Sequence, residues 1–78
     1  MSRARSAREA FAENLRQARL DKGWSQMVLA EAAGLHFTYV SSVEGAKRNV
    51  SIDAMERLAK AVGVPLSDLL LPVTEKRR

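Results

Sequence analysis

The 78-residue chain has no cysteine, so neither a disulfide staple nor a Cys-ligated zinc can support it, and the usual scaffolds of small secreted proteins are excluded. No apolar run approaches the ~20 residues that a membrane span requires. The Arg-rich first residues lead into a charged helix rather than the apolar region of a signal peptide. A soluble, cytoplasmic protein with no membrane partner is expected. The chain has a single histidine, no Gly-rich phosphate loop and no cluster of carboxylates or metal ligands, and a domain this small builds no deep pocket. The expectation is that it is not an enzyme and uses no cofactor, metal or small-molecule ligand. Strand-type alternation, internal repeats and low-complexity linkers are missing as well.

What the chain does have is basic charge, placed at its ends. The net charge is +4 and the pI about 10.1, which favours a polyanionic partner. Arg3, Arg5 and Arg8 supply +3, and Glu75, Lys76, Arg77 and Arg78 supply +2, which leaves residues 9–73 at −1. Solvated tails explain this distribution as well as phosphate contacts do. The expected organisation is a flexible basic tail over 1–6, one domain over 7–72 and a second basic tail over 73–78.

Helix-period apolar patterns punctuated by Gly, Pro, Ser and Asp predict an all-α fold, a compact bundle of five short helices. Ser6-Ala7-Arg8-Glu9 reads as a capping box, and Phe11, Leu15 and Ala18 then recur on one face until Gly23 stops the helix near Lys22. Ser25 caps a second helix over about 26–33, with Trp24 placed to staple onto Leu29 and Gly34 as a left-handed stop. A third helix follows over about 36 to 44 or 45. Ser51 caps a fourth, whose Met55, Leu58, Ala59 and Val62 form one stripe ended by Gly63. Pro65 to Leu71 fits one or two further turns before Pro72.

Two short helices joined by a glycine turn can cross steeply only if residue types fall at fixed spacings. Counting from Gln26, apolar residues stand at Leu29, Ala33, Leu35, Val40 and Val43, with small Ala30 one turn before the break at Gly34. This is the pattern of a helix-turn-helix, whose second helix is presented outward to enter a DNA major groove. An ordinary helical hairpin is the plain alternative.

The run from Phe11 to Leu70, FAENLRQARLDKGWSQMVLAEAAGLHFTYVSSVEGAKRNVSIDAMERLAKAVGVPLSDLL, resembles the Cro and phage-repressor (Xre) helix-turn-helix family, with the likeness covering roughly residues 8–71. The segments GLHFTYVSSVE and RNVS are similar to those of the controller proteins of restriction-modification systems. Val28, Phe37 and Gly45 depart from the Glu, Arg and Arg often found there. The resemblance implies a lambda-repressor-like domain that regulates transcription on double-stranded DNA. A protein-interaction module of the same fold, such as an antitoxin, is the alternative.

On the third helix, Val40 and Val43 define the buried side, which turns Thr38, Ser41, Ser42 and Gly45 outward and sets Phe37 and Tyr39 on opposite flanks. Thr38 and Ser42 hydroxyls can meet more than one base, and the Phe37 ring can lie against thymine methyls. A half-site that contains thymine or is read by shape, rather than one anchored on guanine by residue 37, is therefore expected, with packing of Phe37 on a neighbouring helix or a dimer mate as the alternative. Tyr39 either reaches a phosphate or base, or packs half-buried. His36 either caps an amide, touches a phosphate or meets solvent. Lys47, Arg48 and Asn49 follow in a loop that either crosses the sugar-phosphate backbone or meets solvent.

The resemblance further implies that Gln26 holds a phosphate, that the residue at Arg48 reaches a base edge, and that Arg19 and Glu44 form a structural ion pair. One reading helix covers only a few base pairs, so a homodimer on two half-sites is expected. Leu66, Leu69, Leu70 and Leu71 exceed what one turn can bury in a thin core, and are the expected interface, unless they only close the monomer.

Overall fold

Three of the four long helices begin where a serine side chain takes over an amide that the helix itself cannot satisfy. In the computed structural model, which describes residues 6–72, Ser6 opens α1 (Ala7–Asp21) with the full capping box: its hydroxyl accepts from the Glu9 amide, and its own amide donates to Glu9 Oε1. Ser25 caps α2 (Gln26–Ala33) and Ser51 caps α4 (Ile52–Val62) through the amides of Val28 and Ala54. Between them, α3 (Phe37–Glu44) has no side-chain cap at all. The tails proposed for 1–6 and 73–78 lie outside the described residues apart from Ser6, as do Arg3, Arg5, Lys76, Arg77 and Arg78.

The four long helices end alike. After each, two amides fold back onto the last turn, as Leu35 does onto the Ala30 carbonyl and Lys47 onto that of Ser42, the closure that requires one left-handed residue. Gly23, Gly34 and Gly63 provide it at φ +73°, +70° and +74°. After α3 the left-handed residue is Ala46, at φ 58°, not its neighbour Gly45.

Phe11 and Leu15 of α1, Leu29, Ala30 and Ala33 of α2, Val40 and Val43 of α3 and Leu58, Ala59 and Val62 of α4 share one core. Trp24 packs half-buried against it, in keeping with a staple onto Leu29. Helix α2 packs against α3 and α4, while α1 lies against α3, α4 and α5.

The last element, α5 (Leu66–Leu69), is a single turn, the shorter of the two lengths expected between Pro65 and Leu71. Its geometry corrects the interface expectation for one residue: Leu69 is 0% exposed and belongs to the monomer's own core. Leu66 is half-buried against that core, whereas Leu70 and Leu71 remain 38% and 41% exposed. A residue that no local sequence pattern marks fixes this end. Buried Asn14 on α1 donates its amide to the carbonyls of Leu69 at 2.9 Å and Leu71 at 2.8 Å.

Candidate nucleic-acid interface

The orientation of α3 is set from beneath by two valines and from its end by a charge cluster. Val40 and Val43 are fully buried among core side chains, so the opposite side of this eight-residue helix must face out. Phe37 and Thr38 are exposed, Ser41 and Ser42 are half-buried, and Gly45 at the helix end is exposed. The Ser42 hydroxyl donates to the Thr38 carbonyl at 3.0 Å, so its oxygen faces out as an acceptor. His36 is the extended residue before the helix; its side chain makes no capping bond and is exposed, so the capping alternative is not realised.

At the far end, Glu44 binds Arg19 with both oxygens, Nε to Oε2 at 2.7 Å and Nη2 to Oε1 at 2.9 Å. The two side chains are 9% and 3% exposed. Hydrogen bonding to Glu44 raises the Arg19 pKa above its ordinary value, burial opposes that shift, and the Glu44 charge adds to it. The third guanidinium nitrogen donates to the Trp24 carbonyl at 2.8 Å, so one Arg ties α1, the turn before α2 and α3 together.

Gln26 joins the same cluster. Its amide nitrogen donates to Glu44 Oε1 at 3.0 Å, so the side chain is committed partly inward, with one N–H and the carbonyl left for a ligand. A further brace was not anticipated: Arg57 of α4 donates to the carbonyl of Gly34 at 3.2 Å, at the turn between α2 and α3.

Beyond α3, Lys47, Arg48 and Asn49 are all exposed, while Val50 packs against the core and anchors the loop. The Arg48 guanidinium lies over the Tyr39 ring, 4.7 Å from its centroid. Tyr39 is itself half-buried against the core, so this stack holds Arg48 along the flank of α3. Arg8, whose charge belongs to the basic excess of residues 1–8, lies within α1 and lines a shallow cavity of about 300 Å³ together with Asn49 and Val50. A cation of α1 thus stands beside the loop. The capping box places Arg8 inside the first helix, but no local pattern brings that helix start beside residues 49 and 50.

The arrangement is a short helix with a small-residue outer side, flanked by an aromatic-held guanidinium and followed by a polar loop. A model described as a helix-turn-helix domain matches residues 10–71. The chain belongs to this helix-turn-helix domain family. The helix-turn-helix chain is 48% identical over 61 residues to control protein C.BamHI of Bacillus amyloliquefaciens, covering 77% of this chain and 75% of that one. It is 45% identical over 69 residues to the Neisseria hypothetical transcription factor of Neisseria meningitidis, covering 88% of this chain. It spans only 65% of that relative's length. The crystal structure of the restriction-modification controller protein C.AhdI from Aeromonas hydrophila superposes with a TM-score of 0.76 at 39% identity, over 80% of this chain and 94% of that one.

No helix among the described residues is long and apolar enough to cross a membrane.

Proposed function

We propose that this helix-turn-helix chain is a sequence-specific DNA-binding transcription regulator that works in the cytoplasm as a homodimer on a palindromic operator. The observation that carries this reading is the outward side of α3, where Thr38, Ser42 and Gly45 leave the helix slim enough to enter a major groove. Lys47, Arg48 and Asn49, with Arg8 beside them, form the strip that meets the phosphates. Gln26 adds a contact through the N–H that Glu44 leaves free. Exposed Leu70 and Leu71, with the edge of half-buried Leu66, form the contact between protomers, which sets two reading helices about 34 Å apart.

The likeness to C.BamHI and C.AhdI favours a place in a restriction-modification system. No step of this activity is catalytic. Selection of bound duplexes from a random pool tests the proposal. A palindromic consensus whose binding weakens steeply as salt rises is the expected result. Retention of no duplex, or of all duplexes equally, would overturn it.

A further inference from the structure

Helix α3, FTYVSSVE, contains no Arg, Lys, Asn or Gln. Its outer side therefore lacks every side chain that pairs bidentately with the major-groove edge of guanine or adenine. Its remaining polar capacity is reduced because the Ser42 proton is committed to the Thr38 carbonyl. Gly45 adds nothing, although its backbone does not demand glycine: φ is −84°, and a Cβ there would meet nothing nearer than the Ser41 carbonyl oxygen at 3.5 Å. The Arg48 guanidinium is stacked on Tyr39 at the flank, and that of Arg19 is bound to Glu44.

One large exposed group is left, at the flank of this face. The Phe37 ring stands at the first position of α3, 42% exposed and outside the core cluster. Cores of small domains are short of aromatic area, so an exposed phenyl forgoes burial that another position would have used. In the major groove the apolar feature that varies with sequence is the methyl group on C5 of thymine. The same methyl, at the same ring position, distinguishes 5-methylcytosine from cytosine.

We propose that Phe37 is a sensor of pyrimidine C5-methyl groups, so that the protein reads thymine, and equally 5-methylcytosine, by the methyl rather than by the hydrogen-bonding edge. This rests on α3 being the groove-entering helix, and it extends that reading to cytosine methylation as an input. Binding to an operator would then rise when a cytosine under Phe37 is methylated.

The test uses the full chain and the duplex obtained by selection. Each thymine is replaced in turn by uracil, which removes only the methyl, and affinities are compared for the native protein, Phe37→Leu and Phe37→Ala. At one symmetric position uracil is expected to weaken the native protein about fourfold per half-site, the factor that burial of one methylene-sized group supplies. Phe37→Leu should keep part of this difference and Phe37→Ala none; the ring lies outside the core cluster, and thermal denaturation checks that both variants are folded at the assay temperature. Placing cytosine at that position and then 5-methylcytosine should restore a similar factor for the native protein, part of it for Phe37→Leu and none for Phe37→Ala. A uracil scan flat at every position, or a methyl effect that survives in Phe37→Ala, would overturn the inference while leaving DNA binding intact. Failure of the native protein to bind any duplex would instead remove the functional reading on which it rests.

Discussion

Arg19 and Glu44, on helices α1 and α3, face each other as a bidentate pair almost closed to solvent. Both carboxylate oxygens and all three guanidinium nitrogens have partners, because Gln26 and the Trp24 carbonyl take the remaining positions. Such a pair adds little net stability over apolar residues of the same volume, but removing one member strands the other. Glu44→Ala should therefore lower stability by about 3 kcal/mol. For a domain of this size that shifts the melting temperature by more than about 10 °C. Gln26→Ala removes one hydrogen bond and should cost about 1 kcal/mol. Thermal denaturation of the two variants separates these values. Because the Arg19 pKa is raised, its contribution is complete below the ordinary arginine value and fades only above it. The pair's guanidinium consequently holds its proton across the whole neutral and mildly alkaline range.

Asn14 carries the attachment of α5. Its side chain is buried, and its two protons are shared between the carbonyls of Leu69 and Leu71. Asn14→Ala deletes both bonds and leaves a buried carbonyl without its partner, for a loss of about 2 kcal/mol. Hydrogen exchange should quicken first in residues 66–71, ahead of α2 and α3. Uniform acceleration along the chain would contradict a local role.

Ala46 holds the one left-handed backbone angle among the described residues that is not on glycine. That conformation costs an alanine roughly 1–2 kcal/mol. Glycine is free of the strain but gains ~0.4–1 kcal/mol of unfolded-state entropy. Ala46→Gly should raise stability by roughly 0.5–1 kcal/mol, measured by urea denaturation. The converse, Gly34→Ala, puts the same strain at φ +70° and should destabilise.

Leu69 and Leu70 adjoin in sequence and differ in consequence. Leu69→Asp places a charge in the core and should unfold the monomer. Leu70→Asp with Leu71→Asp should leave helix content unchanged and yield a monomer by sedimentation equilibrium. A double variant that still sediments as a dimer would place the interface elsewhere.

The parts of this molecule legible from sequence are those written in local spacing. Ser6, Ser25 and Ser51 cap amides three residues away, and Gly34 and Gly63 end helices within the same turn. The burial of Val40 and Val43, and with it the outward side of α3, followed from helical periodicity. The Arg19–Glu44 pair came from family likeness, since nothing local links residues 25 apart. What escaped depends on distant chain meeting distant chain. Asn14 finds its acceptors 55 and 57 residues on. Arg57 reaches back 23 residues to Gly34, and Gln26 turns toward Glu44 because the pair lies beneath it. Among four leucines near one chain end, no periodic pattern in a single-turn helix separates buried Leu69 from exposed Leu70 and Leu71.

The outward side of α3 is tested most directly by titrating a labelled, selected palindromic duplex with the native protein and with Thr38→Asp. Thr38 is exposed and its side chain supports nothing in the core, so the variant should melt with the native protein. A carboxylate there would confront the duplex with like charge. Two protomers per duplex are expected for the native chain, and at least about tenfold weaker binding by Thr38→Asp. Equal affinity of the two proteins for the selected duplex would contradict a DNA-facing α3.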